Sequence, residues 1–205
     1  LAAHLDAGRV VDASWYMTED KREPQKDFAA GHIPGAVFFD IDAIAEHETS
    51  LPHMMPAPGA FAAAVAALGL GDSDTIVIYD GTGLFSAPRV WWALRLMGHQ
   101  KVLVLDGGLP RWRLEGRPLQ TGAPQPSPGQ FHARPVAALA RDYDAVLAHL
   151  AAGDAQIVDA RSHSRFSGEE KEPRPGLKSG HMPGAVKLHW RALLTADHRL
   201  KDDEA

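Results

Sequence analysis

The chain has 205 residues, of which 45% are hydrophobic and 23% are charged, and its formal net charge at pH 7 is -5. This length and composition predict a soluble globular protein with one large domain or two of ordinary size, and they exclude an intrinsically disordered chain. Because there is no basic cluster and no apolar stretch approaching the roughly 18 residues of a membrane span, neither a nucleic-acid partner nor a membrane is predicted.

The first 119 residues alternate between strand and helix patterns. Short apolar runs predict buried parallel strands, and Ala-rich or Trp-containing runs that stop at glycine predict helices between them. The predicted strands are Arg9–Asp12, 35–40, 75–79 and 101–105, and the predicted helices are 58–68 and 86–97. This alternation predicts an α/β fold in which a parallel sheet is flanked by helices.

The chain repeats part of its own sequence. Val-Asp-Ala at 11–13 returns at 158–160, and Gly-His-Ile-Pro-Gly-Ala-Val at 31–37 returns as Gly-His-Met-Pro-Gly-Ala-Val at 180–186. The offsets are nearly equal, since 159 − 12 = 147 and 180 − 31 = 149. Two matched blocks in the same order and at one spacing indicate a duplicated domain.

A linker separates the two copies. Three prolines and two glycines within 120–129 predict it, and we assign a first domain to 1–119, the linker to 120–135 and a second domain to 136–205. The second copy is predicted to contain a helix at 143–150 and a strand at 156–159. Only its first half is present, and half of a parallel domain would expose one side of its sheet. We therefore expect the remainder to lie beyond Ala205.

The segment 80–86 is the first candidate site. Asp-Gly-Thr-Gly-Leu-Phe-Ser follows a predicted strand and opens a predicted helix, so its backbone N–H groups could form an anion-binding cradle. The motif lacks the lysine of a nucleotide-binding loop. An ordinary strand-to-helix turn is an equally good interpretation.

Together, the Phe28–Ala36 block, its twin at 180–185, the Asp80 loop and Asp-Gly-Gly at 106–108 resemble the tandem rhodanese family. The resemblance implies two rhodanese-like domains, with a nucleophilic cysteine on the second-copy equivalent of the Asp80 loop. Asp80 cannot form a persulfide, so the first copy is expected to be non-catalytic. The chain contains no cysteine, and the repeat offset puts the expected one at 80 + 147 = 227 to 80 + 149 = 229. The 205 residues by themselves are therefore expected to be inactive.

Asp42 and His53 suggest the 3-mercaptopyruvate branch of this family. The resemblance implies that they form a relay, completed by a serine on the cysteine loop. A carboxylate can orient an imidazole, which then moves a proton near neutral pH. The alternative is that Asp42 caps a helix and His53 is an ordinary loop histidine.

Arg165 and Arg174 are the candidate substrate-binding residues. The resemblance implies that they hold the carboxylate and keto oxygens of the substrate, for which the guanidinium fork is well suited. Surface charge is the alternative for each. Arg161 is interpreted as structural, and His32 and His181 as turn-stabilising because both copies carry them.

The implied activity is transfer of a sulfane sulfur from 3-mercaptopyruvate to a thiol or cyanide acceptor, in the cytoplasm, with no cofactor and no metal. The site is expected to lie between the two copies. A thiosulfate:cyanide sulfurtransferase is the alternative within this class. A non-catalytic rhodanese-like binding or regulatory module is the alternative outside it.

Overall fold

The computed structural model describes residues 8–173 and 176–202. The chain divides into two compact units. The first runs to Leu139 and includes Asp197–Arg199, and the second comprises Ala140–Ala196 and the chain from Leu200. Among the described residues, no helix combines the length and the apolar character that a membrane crossing requires.

The first unit is built on a four-stranded parallel sheet in the order β2-β1-β3-β4. Its elements in chain order are β1 (Arg9–Asp12), α1 (Pro24–Ala30), β2 (Ala36–Phe38), α2 (Pro58–Ala67), β3 (Ile76–Tyr79), α3 (Ala87–Leu96), β4 (Val102–Val104) and α4 (Gly108–Leu114). The predicted α/β fold is confirmed for this unit, because strands alternate with helices and every pairing is parallel.

Successive side chains of the strands pack into two apolar clusters, one on each face of the sheet. In β1, Val11 belongs to one apolar cluster and Val10 to the other, and in β3 the same division separates Ile78 from Tyr79. The helix residues that join these clusters are Phe61 of α2 and Leu94 of α3 on one face, and Phe28 of α1 and Trp112 of α4 on the other. Because β1 and β3 are interior strands, their carboxyl ends lie side by side, at Asp12 and Asp80.

The segment assigned to a linker, 120–135, packs on the first unit. The Gln120 amide donates to the His32 carbonyl at 2.9 Å and the Arg134 amide to the Met97 carbonyl at 2.8 Å. Phe131 is 6% exposed and joins the core cluster. The first compact unit runs to Leu139 and includes this segment, because a segment that buries an aromatic ring stabilises the body on which it packs.

The second unit contains α5 (Tyr143–Ala152), β5 (Val158–Asp159), α6 (His163–Ser167) and β6 (Val186–Lys187). The Asp142 side chain caps α5 by accepting from the Ala145 amide at 2.8 Å. Strands β5 and β6 pair in parallel. The side chains of Val158 and Val186 stay about half exposed, at 52% and 46%.

Candidate functional site

Asp42 and His53 are in direct contact. Asp42 Oδ1 lies 2.9 Å from His53 Nδ1, and Asp42 Oδ2 accepts a hydrogen bond from Trp15 Nε1 at 3.0 Å. The Trp15 ring also meets the His53 ring edge-on, with centroids 5.3 Å apart. Asp42 caps no helix, because the turn at 40–43 is closed by the Asp40 carboxylate instead. With Nδ1 donating to the carboxylate, Nε2 of His53 keeps its lone pair for a proton.

The backbone of His53 is held by α3. His53 has φ 57, in the left-handed region that few residues other than glycine adopt. The Arg89 guanidinium donates to the His53 carbonyl and stacks on Trp92, with 5.1 Å between the guanidinium carbon and the ring centroid. Partial burial lowers the pKa of Arg89. Arg89 therefore anchors the loop that presents the imidazole to Asp42.

The Asp80 carboxylate accepts hydrogen bonds from six backbone amides. Oδ1 accepts from residues 82, 83 and 84 at 2.9, 2.6 and 3.3 Å, and Oδ2 accepts from residues 85, 86 and 87 at 2.8 Å each. Asp80 is 1% exposed. The loop bends sharply around it, since Gly83 and Leu84 have φ 105 and 110. This is an anion cradle of the expected kind, but its anion is a side chain of the loop itself.

The segment 80–86 therefore does not form an open anion-binding pocket. The amides that would bind an external anion already donate to Asp80, so the interpretation of this segment as a structural turn is the better one for the first unit. As expected, Asp80 follows an interior strand and precedes a helix.

In the second unit, Arg165 is paired with Glu172. Arg165 donates from Nη2 to Glu172 Oε2 at 2.5 Å and from Nε to Oε1 at 3.3 Å. Arg161 donates from Nη1 to the same Glu172 Oε1 at 2.5 Å. The side chain of Glu172 is 5% exposed, against 30% for Arg165. Arg174, the second predicted substrate-binding arginine, lies outside the described residues.

Arg161 occupies a bridging position in this cluster. It contacts the Asp159 carboxylate at the end of β5, and it donates to the Gly180 carbonyl at 2.8 Å. Its hydrogen bonds lower the pKa of Asp159 to about 2. The positive charge of Arg161 is thereby shared by the two acids Asp159 and Glu172.

His32 and His181 make the same two contacts in their respective units. His32 Nδ1 lies 2.8 Å from the Phe28 carbonyl, and His181 Nδ1 lies 2.8 Å from the Phe166 carbonyl. Each imidazole stacks on that phenylalanine, with ring centroids 4.0 and 3.8 Å apart. These contacts agree with a turn-stabilising role. They also show that Phe166 is the counterpart of Phe28, with 11 extra residues between it and the histidine.

Three residues that the sequence did not single out complete these arrangements, namely Trp15, Arg89 and Glu172. The insertion between Phe166 and His181 was a usable signal for Glu172, because it carries both that acid and Arg174. Trp15 and Arg89 gave no comparable signal. Across residues 8–173 and 176–202, no three histidine, aspartate or glutamate side chains converge as a metal ion would require.

The rhodanese-like domain family matches residues 1–115. Thiosulfate/3-mercaptopyruvate sulfurtransferase 1, mitochondrial, from Arabidopsis thaliana is 42% identical over 86% of this chain and 52% of its own length. The 3-mercaptopyruvate sulfurtransferase of Escherichia coli K12 is 41% identical over 100% of this chain and 74% of its own length.

Solved structures agree with these matches. The crystal structure of SseA from Escherichia coli, a 3-mercaptopyruvate sulfotransferase with the rhodanese fold, superposes with a TM-score of 0.90 at 38% identity. It covers 100% of this chain and 77% of the solved one. The chain thus spans between about half and three quarters of the length of these relatives.

Proposed function

Because this chain belongs to the rhodanese family, we propose that the protein containing it is a sulfurtransferase that carries sulfane sulfur on a cysteine persulfide. The donor we propose is 3-mercaptopyruvate, and the acceptor is a thiol or cyanide. The second unit is then the first half of a second rhodanese-like domain, which supplies the cysteine. We keep the cytoplasm as the expected location.

The observation that carries the choice of donor is the 2.9 Å contact between Asp42 and His53. An imidazole held by a carboxylate is a proton-transfer group, and it is useful only in a reaction that needs a proton moved. Release of pyruvate from mercaptopyruvate needs one. Release of sulfite from thiosulfate does not, because sulfite leaves as a stable anion.

The proposed first step is attack of the cysteine thiolate on the sulfur of mercaptopyruvate. The new S–S bond forms as the C–S bond breaks, and the electron pair of the C–S bond moves onto the substrate carbon. This gives the enolate of pyruvate, which takes up a proton at that carbon. The Asp42–His53 relay supplies this proton after accepting it from the thiol group of the substrate, so the persulfide is left as an anion. The acceptor then attacks the outer sulfur of the persulfide, and the thiolate is regenerated.

Arg165 and Arg174 are proposed to bind the carboxylate and keto oxygens of the donor. Arg165 lies on the short helix α6, directly after the carboxyl end of β5. Ligands of open parallel sheets bind at this edge, where loops and helix N-termini converge. A guanidinium offers paired donors to a carboxylate and does not lose its charge.

The relay is tested by replacing His53→Gln in the full-length protein and measuring kcat/KM for both donors. We expect a fall of about 100-fold or more for mercaptopyruvate, since general acid–base groups contribute at least this much. The fall with thiosulfate should be much smaller, because no carbon is protonated.

His47→Gln is the matched control, because His47 is an exposed histidine of the same loop that contacts only a backbone carbonyl in the described part of the chain. It should leave both donors within about twofold of wild type. Equal losses with both donors for His53→Gln would mean that His53 is structural. Absence of persulfide and of turnover with either donor would reject the sulfurtransferase assignment.

A further inference from the structure

Two arginines of the second unit, Arg161 and Arg165, form an alternating chain of charges with two acids. Asp159 contacts Arg161, Arg161 contacts Glu172, and Glu172 contacts Arg165. Two positive and two negative side chains sum to zero. Among the described residues, Arg165 thus belongs to a group of four paired side chains whose formal charges cancel, and it is not an isolated cation.

Glu172 is the member of this cluster that acts on Arg165. Both of its oxygens accept from Arg165, and one also accepts from Arg161. The hydrogen bonds from Arg165 lower the pKa of Glu172, so its side chain is an anion at neutral pH. Its position is secured from the other side, because Arg161 is tied to β5 through Asp159 and to the Gly180 carbonyl.

The ion pair with Glu172 also determines which edge of the Arg165 guanidinium is left to bind a substrate carboxylate. Glu172 takes the edge formed by Nε and Nη2. Within residues 8–173 and 176–202, no hydrogen bond from Nη1 of Arg165 to a described residue is present. A guanidinium can still offer its Nη1 and Nη2 protons end-on to a second carboxylate when the side edge is occupied.

We propose that Glu172 is a specificity-determining residue, which offsets the charge of Arg165 and leaves it suited to a monoanionic carboxylate donor in preference to a dianionic donor. The inference rests on the proposed function. Mercaptopyruvate carries one negative charge near neutral pH, and thiosulfate carries two. The Glu172 carboxylate repels a dianion about twice as strongly as a monoanion at the same place, because Coulomb energy scales with the product of the charges.

The test is the replacement Glu172→Gln in the full-length protein, with kcat/KM measured for mercaptopyruvate and thiosulfate. The amide keeps the size of the side chain and removes one negative charge beside Arg165. We expect the ratio of thiosulfate to mercaptopyruvate kcat/KM to rise about 10- to 100-fold, chiefly through a lower KM for thiosulfate. The gain should shrink as salt is added, since added ions screen the interaction.

Glu169→Gln is the matched control. It removes the same charge from an exposed glutamate three residues earlier, for which no arginine contact is present among the described residues, and it should leave the ratio within about twofold of wild type. A ratio unchanged in Glu172→Gln, or a shift insensitive to salt, would overturn the inference while the sulfurtransferase assignment stands. A wild-type protein that uses neither donor would instead reject that assignment.

A second variant covers the case in which the amide variant fails to fold. Glu172→Asp keeps the charge but is too short to reach both arginines. If charge decides the preference, both KM values should rise together and the ratio should stay within about twofold of wild type. A large change of the ratio in this variant would assign the preference to geometry and overturn the inference.

Discussion

The first strands of the two units both end at the aspartate of a Val-Asp-Ala tripeptide, and yet the pKa values of these aspartates are shifted in opposite directions. Asp12 is 1% exposed and its pKa is raised, chiefly because burial disfavours the charged form. Asp159 has its pKa lowered to about 2, chiefly by hydrogen bonds from Arg161. Burial without a cationic partner raises the first pKa, and the guanidinium two positions after the aspartate lowers the second, where the first unit has Ser14 instead of Arg161.

Ser14 suits the first unit for a reason that involves the Asp80 loop. Its backbone amide donates to Asp12 Oδ1 and its hydroxyl accepts from the Gly81 amide, both at 2.8 Å. The first unit thus connects two strand ends with a small neutral side chain, and its Asp80 carboxylate fills the cradle. The second unit places cationic side chains at its strand end. The repeated motif therefore carries different side-chain chemistry in the two units.

The largest effect on stability is expected from removing the Asp80 carboxylate from the ring of backbone amides around it. Asp80→Ala removes the acceptor of six amides in a buried loop, and we expect the free energy of unfolding of the first unit to fall by at least about 3 kcal/mol. Urea unfolding of the chain measures it. Asp144→Asn, at an exposed position in the first turn of α5, is the control and should change the stability by less than about 0.5 kcal/mol. A loss below about 1 kcal/mol for Asp80→Ala would show that water replaces the carboxylate readily.

A smaller difference in stability is expected between alanine variants of the two equivalent histidines. His32 is fully buried whereas His181 is exposed, although both stack on a phenylalanine. His32→Ala should cost about 2–4 kcal/mol, because it leaves a cavity under Phe28. His181→Ala should cost less than about 1 kcal/mol. Amide hydrogen exchange resolves the two units separately, and equal costs would contradict the inference that burial of the imidazole sets the cost.

The smallest effect is the pH dependence of stability, to which Asp12 and Asp159 contribute with opposite signs. The folded pKa of Asp159, about 2, lies below its usual 3.8. Its contribution to stability is therefore complete above about pH 4 and is lost as the pH falls towards 2. The pKa of Asp12 is raised, so its charge opposes folding, and the first unit loses stability as the pH rises from 3.8 through the folded pKa.

Replacing each aspartate by asparagine isolates these contributions. Asp159→Asn should destabilise the second unit at pH 7 by about 1–2 kcal/mol, because the hydrogen bonds from Arg161 lose their charged acceptor. Asp12→Asn should change the first unit by less than about 1 kcal/mol and flatten its pH dependence. Carboxyl titrations by NMR check the directions directly. A lowered pKa for Asp12 would refute the proposed contrast.

Much of the fold followed from local patterns. The strands β1 and β3 were predicted within one residue of their observed ends, because uninterrupted apolar runs with β-branched residues are typical of interior parallel strands. The short helices α1 and α4 were not predicted, since a helix of seven residues contains too few turns to show a period. The prolines and glycines of 120–129 predict a linker at 120–135, whereas the packing of this segment on the first unit depends on tertiary contacts, among them the burial of Phe131.

The sequence by itself determined the repeated motif and the positions of the aspartates at strand ends, which local composition and spacing encode because turn chemistry and hydrophobic period act over a few residues. The candidate residues Asp42, His53 and Arg165 came from the resemblance of the sequence to the rhodanese family. Only the tertiary structure decided their partners. Trp15 reaches Asp42 across 27 residues, Asp80 turns inward onto its own loop, and Glu172 takes one edge of Arg165. The first contact depends on where distant segments are brought together, and the other two depend on the conformation of one loop, which the spacing of residue types does not record.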